Sequence, residues 1–195
     1  LNTLDGKTTV AVTVLATTIT GSAADVITAY NAQGSGIIGL GNENITVTGT
    51  ITVAQFNTIA ASTTGVITAT VAEGDMTTLA GITESGNALT ITVTDASVAA
   101  SDLNTLDGKT TVAVTVNSAT ITGTAGAMVT AFQAQGSTLS GLDDAAANIN
   151  SGNATVAQVN TVSAVTSGTT TATISDNDMS TLAGITGTGN AYTVT

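Results

Sequence analysis

Two pairs of carboxylates, Glu73-Gly-Asp75 and Asp176-Asn-Asp178, stand 103 residues apart in this chain. Carboxylate oxygens at that spacing suit a calcium ion, which takes six to eight oxygen ligands. Each pair would therefore need Asp95, Asp107 or backbone carbonyls of a neighbouring segment to complete a shell. Glu73, Asp75, Asp176 and Asp178 are the candidate calcium ligands, and no other cofactor is expected. A competing use is electrostatic, because an acid near a helix start complements the positive end of the helix dipole, and Asp25 and Asp102 fall at such places. The glycine-aspartate nonapeptide of secreted calcium-binding toxins is absent, and Asp143-Asp144 corresponds to Gly41-Asn42 in the earlier half.

Gly6-Lys7-Thr8 and Gly108-Lys109-Thr110 have the ending of a phosphate-binding loop. That loop also needs a glycine five residues before its last one and a helix after it. Leu1 and Leu103 hold the glycine position, and Val10-Ala-Val-Thr-Val14 reads as a strand, so a tight turn at Asp-Gly is expected instead. Catalysis has little to work with. The chain has no Cys and no His, and Lys7 and Lys109 are its only amine bases, so the usual nucleophile-base triads cannot be assembled. A carboxylate pair would suit a glycosidase, but nothing in the sequence marks one pair as buried or facing a cleft. No enzyme is expected.

Composition narrows the partners. Thirteen acidic residues against two lysines give a formal net charge of -11, which excludes a phosphate backbone as ligand, since that affinity comes mainly from Lys and Arg displacing counterions. The same balance opposes an anionic membrane surface, and no apolar run approaches the length of a membrane span. Without cysteine there is no disulfide framework and no thiolate metal site. The chain starts at Leu1 with neither Met nor leader, and is expected to be a segment of a longer product.

What must position these residues is a repeat. Residues 103–116 reproduce 1–14 without a change, and the correspondence continues at an offset of 102 through Thr18-Ile-Thr-Gly21 and Thr120-Ile-Thr-Gly123. Past Gly41 it fades, then resumes at an offset of 103 with Val53-Ala-Gln55 and Val156-Ala-Gln158, so one inserted residue is expected in a loop between. A shorter beat of two apolar residues three apart starts at Leu1, Ile27, Phe56, Met76, Leu103, Val129, Val159 and Met179, which divides each long repeat into four unequal steps.

Alternating runs such as Thr18-Ile-Thr20, Thr50-Ile-Thr52 and Thr90-Ile-Thr92 read as half-buried strands, with the isoleucines inward and the threonines outward. Residues 22–30 begin with a Ser cap and read as a short helix or 3₁₀ turn. Gly34, Gly65, Gly86, Gly136 and Gly168 are expected to close such turns in the left-handed conformation. Strand, helix, glycine and next strand make parallel neighbours with right-handed crossovers. The expected fold is mainly β with short helices: a right-handed parallel β-solenoid of about four coils per repeat. Its two repeats, 1–102 and 103–195, would form one continuous body. Roughly a fifth of the residues are threonine, an excess over ordinary composition. A flat Thr-x-Thr face would resemble that of ice-binding β-solenoids, while β-propensity explains the same threonines without a ligand.

The blocks Ala88-Leu-Thr-Ile-Thr-Val-Thr-Asp-Ala96, Leu103-Asn-Thr-Leu-Asp-Gly108 and Met179-Ser-Thr-Leu-Ala-Gly-Ile-Thr-Gly-Thr-Gly-Asn-Ala191 resemble repeat tracts of very large bacterial cell-surface proteins. These are rich in Thr, Ala, Gly and Val, free of cysteine, and typical of cyanobacteria, where some are tied to swimming without flagella. The resemblance implies an acidic secreted protein of the outer layer of a cell or of an extracellular filament, acting as a scaffold or spacer, exported without a classical leader and sometimes calcium-dependent. Its expected partners are further copies of the same repeat, end to end or covalently continuous, and glycans, for which Asn44-Ile-Thr46 and Asn153-Ala-Thr155 are acceptor sequences. Nucleic acid and membrane insertion are not expected. The rival reading is a ligand-binding module for calcium, ice or glycan.

Overall fold

The computed structural model covers residues 1–195. In chain order its elements are α1 (Asn2–Asp5), β1 (Val12–Thr13), β2 (Thr18–Gly21), α2 (Ala23–Asn31), β3 (Ile37–Ile38), β4 (Asn44–Ile51), α3 (Val53–Ala60), β5 (Ile67–Val71), α4 (Met76–Leu79) and β6 (Ala88–Thr90). There follow β7 (Thr92–Val93), β8 (Ser97–Ala99), α5 (Ala100–Asp107), β9 (Val114–Val116), β10 (Thr120–Thr124), α6 (Ala125–Gln133), β11 (Leu139–Ser140), β12 (Ala146–Ser151), α7 (Val156–Ser163), β13 (Thr170–Ile174), α8 (Met179–Leu182) and β14 (Ala191–Val194).

Two compact units form. The first comprises Leu1–Glu73, Thr77–Ile91 and Lys109–Val112, and the second Gly74–Met76, Thr92–Gly108 and Ala113–Thr195. In the first, strands lie in the order β2-β4-β5-β6, and β1 pairs separately with β3. In the second, the large sheet runs β8-β10-β12-β13-β14 and a small one β7-β9-β11. Every pairing is parallel, so each connection must cross over, and the longer crossovers carry the helices.

Helix formation follows from the caps. The side chains of Ser22, Thr52, Thr124 and Thr155 accept the backbone N–H of the residue three further on, and Thr52 with Gln55 and Thr155 with Gln158 close full capping boxes. Behind each cap, apolar residues recur at helical spacing. Val26, Ala29 and Tyr30 of α2, and Phe56 and Ile59 of α3, are buried with Ile45, Ile67 and Leu89 from the sheet of the first unit. The second unit repeats the scheme with Met128 and Phe132 of α6, Val159 and Val162 of α7, and Ile121, Ile149 and Ile174 from its strands.

The single parallel β-solenoid expected from the sequence does not form, and the filament built on it loses its basis. The chain is an α/β fold with four separate parallel sheets and eight helices. Two features of the sequence produce the difference. Where the sequence left a short helix or a 3₁₀ turn open, the capped stretches form α-helices of eight or nine residues, because a satisfied N-terminus and an apolar face buried on the sheet sustain them despite their β-branched residues. In addition, Gly39 and Gly141, at φ +88° and +87°, end β3 and β11 after two residues. A Cβ at Gly39 would lie 2.7 Å from the Val14 carbonyl oxygen, and one at Gly141 would overlap that of Val116. This tight approach confines β3 and β11 to small sheets of their own.

Gly34, Gly86 and Gly136 do adopt positive φ, but Gly65 and Gly168 do not. Those two are glycine for lack of space: a Cβ would collide with the carbonyl of Glu43 at one and of Ala145 at the other. The inserted residue is likewise not in a loop. From Thr46↔Thr68 to Ile51↔Val71, β4 spends five steps against three of β5, whereas from Asn148↔Thr171 to Ala154↔Ile174 the second copy spends six against three. One more residue is bulged out of the ladder in the second copy, which converts the offset of 102 into 103.

Candidate functional site

The carboxylates of the two sequence pairs sit at helix starts. Glu73 accepts the Val53 N–H at the first position of α3, at 3.1 and 3.3 Å to its two oxygens. Asp176 accepts the Val156 N–H of α7 at 2.7 Å, and Asp95 accepts the Met76 N–H of α4 at 2.8 Å. Each acid thus neutralises an orphan N–H of a helix about 20 residues earlier in the chain. Asp178 caps its own helix: it accepts the Thr181 N–H at 2.8 Å and the Ser180 hydroxyl at 2.5 Å. The Ser180 hydroxyl and then the Thr181 bonds hold its carboxyl down at about 2. Asp75 is exposed. Nowhere do three or more Asp or Glu side chains gather as a metal shell would require.

The Gly-Lys-Thr segments follow helices instead of preceding them. Gly6 and Gly108 are the C-caps of α1 and α5, and the Lys109 ammonium donates to the Thr83 carbonyl at 3.1 Å. A phosphate needs helix N-termini, and these segments offer the opposite end.

The most enclosed polar cluster is one that the charge pattern did not point to. Glu43, only 2% exposed, lies in the first unit beneath Tyr30. Its Oε2 accepts the Tyr30 hydroxyl at 2.9 Å and the N–H groups of Gly41 and Asn42 at 2.8 and 3.2 Å. Burial alone would push this carboxyl up, but the Gly41 N–H, further backbone N–H groups and the Tyr30 hydroxyl outweigh it and hold it below the ordinary range. Burial pushes Tyr30 up to about 12, against a lowering contribution from Thr63 and with help from Glu43. At the offset of 102, the counterparts are Phe132 and Ala145, both buried. That joint replacement was the available signal.

Beside this cluster an open groove of about 500 Å³ is lined by Thr63, Thr64, Gly65, Glu84 and Asn87. Two of its polar side chains are engaged by the protein: Thr63 donates to the Glu43 carbonyl at 2.8 Å, and the Asn87 side chain accepts the Ile67 N–H at 2.8 Å. In the second unit a groove of about 550 Å³ includes Ser118, Asp143 and Asp144. Both grooves place hydroxyls and carboxylates in their linings, but no hydrogen bond joins a lining hydroxyl to a lining carboxylate in either.

Asparagines tie successive steps together in both units. Asn57 donates to the Gly81 carbonyl at 2.7 Å and accepts the Thr83 N–H at 3.2 Å, and Asn160 does the same with Gly184 and Thr186 at 2.7 and 3.0 Å. The outward threonines do not make a continuous flat face, since Asn148 stands between Thr122 and Thr171 in the second unit and a bulge interrupts β4 in the first. No protein-family model, curated protein or solved structure matches the chain.

Proposed function

We propose that this chain is a structural segment of a secreted bacterial surface protein, serving as a scaffold and not as an enzyme or a ligand-binding module. The observation that carries the reading is the use to which its polar side chains are put. Glu73 and Asp176 close helix ends, Asn57 and Asn160 bridge to the next step, and Thr63 and Thr166 clasp neighbouring carbonyls, each in the same way in both repeats. These groups recur wherever the fold needs them, and Tyr30 and Glu43, a polar pair that does break the repeat, are bonded to each other and to the Gly41 and Asn42 N–H groups. The low charge, the missing His and Cys and the surface-protein resemblance of the sequence agree with this role.

Thermal unfolding in chelator and in millimolar calcium tests it. A ligand that binds only the folded form must raise the unfolding temperature, so a scaffold unfolds at the same temperature in both. A calcium-dependent rise of several degrees would replace this reading with the ligand-binding one. Antibody labelling of intact source cells tests the location, and labelling only after lysis would refute a surface role.

A further inference from the structure

The second unit departs from the repeat along one groove. At the offset of 102, Asn117 and Ser118 stand where the first repeat has Leu15 and Ala16, and Asp143 and Asp144 where it has Gly41 and Asn42. All four line the open groove of about 550 Å³, a volume in the range of small-molecule sites. Four polar side chains thus meet where the earlier repeat has only that of Asn42.

The fold makes little use of these side chains. Asp144 has no hydrogen-bond partner, and Asp143 has one long bond, from Gln135 Nε2 to its Oδ1 at 3.4 Å. Ser118 is only 4% exposed, yet its Oγ bonds to nothing. A buried hydroxyl left without a partner destabilises a fold, and the alanine of the first repeat avoids that cost. The backbone around the groove is fixed by contrast. The Asn117 N–H donates to the Val93 carbonyl at 2.9 Å, the Leu142 N–H to the Gln135 side chain at 2.9 Å, and the Ser167 N–H to the Asp143 carbonyl at 2.8 Å. Held walls that carry side chains the fold does not need are preorganised for a ligand.

Charge selects the ligand. Lys7 and Lys109 both belong to the first unit, so the carboxylates of the second have no basic side chain of their own unit to answer them, and their field attracts a cation. Calcium takes six to eight oxygens, more than two carboxylates, one amide and one hydroxyl supply. A primary ammonium has only three N–H groups to place. We infer that the groove binds a cationic amino sugar. Its ammonium donates to the Asp143 and Asp144 carboxylates, and its ring hydroxyls bond the Asn117 amide and the Ser118 Oγ, which turns to the ligand about the Cα–Cβ bond. This goes beyond the scaffold reading and is independent of it, since that reading rests on the groups that recur and this one on groups that do not.

Titration of the isotope-labelled full chain with glucosamine, followed by amide chemical shifts, tests it. Saturable shifts at Asn117, Ser118 and Asp144 are expected, with binding that weakens as salt rises. N-acetylglucosamine keeps the ring but loses the charge, and should bind roughly tenfold more weakly. Asp144→Asn should cause a similar loss, whereas Asp102→Asn, which removes a charge of the same unit outside the groove, should leave binding unchanged. Ser118→Ala should weaken binding and at the same time raise the unfolding temperature of the free chain, because it removes the orphan hydroxyl. Absence of shifts at these amides overturns the proposal, as does equal binding of N-acetylglucosamine or an equal loss from Asp102→Asn. Nα-acetyl-lysine amide binding as tightly as glucosamine would overturn the sugar in favour of a protein side chain, and the same shifts from calcium alone would overturn it in favour of a metal.

Discussion

The Tyr30 hydroxyl donates to the Glu43 carboxylate at 2.9 Å in the first repeat, and in the second repeat Phe132 and Ala145 replace both partners together. A buried hydrogen bond contributes modestly in net terms, but a buried group left without its partner costs about 1–3 kcal/mol. The paired replacement follows from that asymmetry. Either the hydroxyl and carboxylate are both present, or neither is.

Glu43→Ala alone is therefore expected to destabilise the protein by about 2–3 kcal/mol in denaturant unfolding, because it strands the Tyr30 hydroxyl and removes the acceptor of the Gly41 N–H. Adding Tyr30→Phe to it recreates the Phe132 and Ala145 pairing and should recover about 1 kcal/mol. A double variant no more stable than Glu43→Ala would show that the hydroxyl is not the group being satisfied.

The same pair sets an alkaline limit. Tyr30 is raised from 10.0 to about 12, so its neutral form is favoured by folding; its contribution is complete below pH 10.0 and lost as pH rises toward about 12. Glu43 has the opposite sign. Its carboxyl is held down, so its contribution is present above the ordinary carboxylate range and disappears only when the pH falls through the depressed value. With no Trp in the chain, and Tyr30 and Tyr192 its only tyrosines, tyrosinate absorbance reads the first effect directly. It should appear above pH 10 together with unfolding, and Tyr30→Phe should flatten the loss of stability there. Ordinary titration of both tyrosines near pH 10 in the folded protein would contradict it.

Two kinds of glycine should respond in opposite ways. At Gly168 an added Cβ meets the backbone carbonyl of Ala145, which cannot turn aside. Gly168→Ala is expected to cost about 2–4 kcal/mol. Gly126 lies in α6 with nothing near its missing Cβ, so Gly126→Ala should stabilise by about 0.5–1 kcal/mol through helix propensity. Unfolding midpoints of the two variants that move in the same direction would refute this account.

Several parts of this structure were legible in the sequence. The Ser22 cap announced α2, the alternating threonines announced strands, the order of strand, helix, glycine and next strand announced their parallel pairing, and the offset of 102 announced that the elements of one half would recur in the other. The sheet count was not legible. Parallel pairing of Val12 with Ile37, apart from Ile19 with Ile45, depends on how closely Gly39 approaches Val14, and spacing alone does not encode that distance. The role of Glu73 and Asp176 was half visible. Acids at helix starts were expected, but they serve helices about 20 residues earlier, which needs the fold to bring them together. Glu43 was missed because its signal is a break in the repeat, the joint change to Phe132 and Ala145, and not a recurring motif.

The bulge in β12 makes the last expectation, since it says where the chain has a residue to spare. Ile149 pairs with Gly123 and Ser151 with Thr124, so Asn150 is passed over by the ladder, and it is exposed. Deleting Asn150 restores the residue count of the first repeat, where β4 makes the same crossing with one residue fewer. It should cost about 1 kcal/mol or less. Deleting Thr171 from β13 is the contrasting experiment. It lies in unbroken register with Ala191, and its loss would turn the residues on one side of it to the opposite face, either exposing Ala172 and Ile174 or displacing Thr170. That variant should lose cooperative unfolding altogether. Equal damage from the two deletions would mean that the extra residue is held as tightly as the ladder itself.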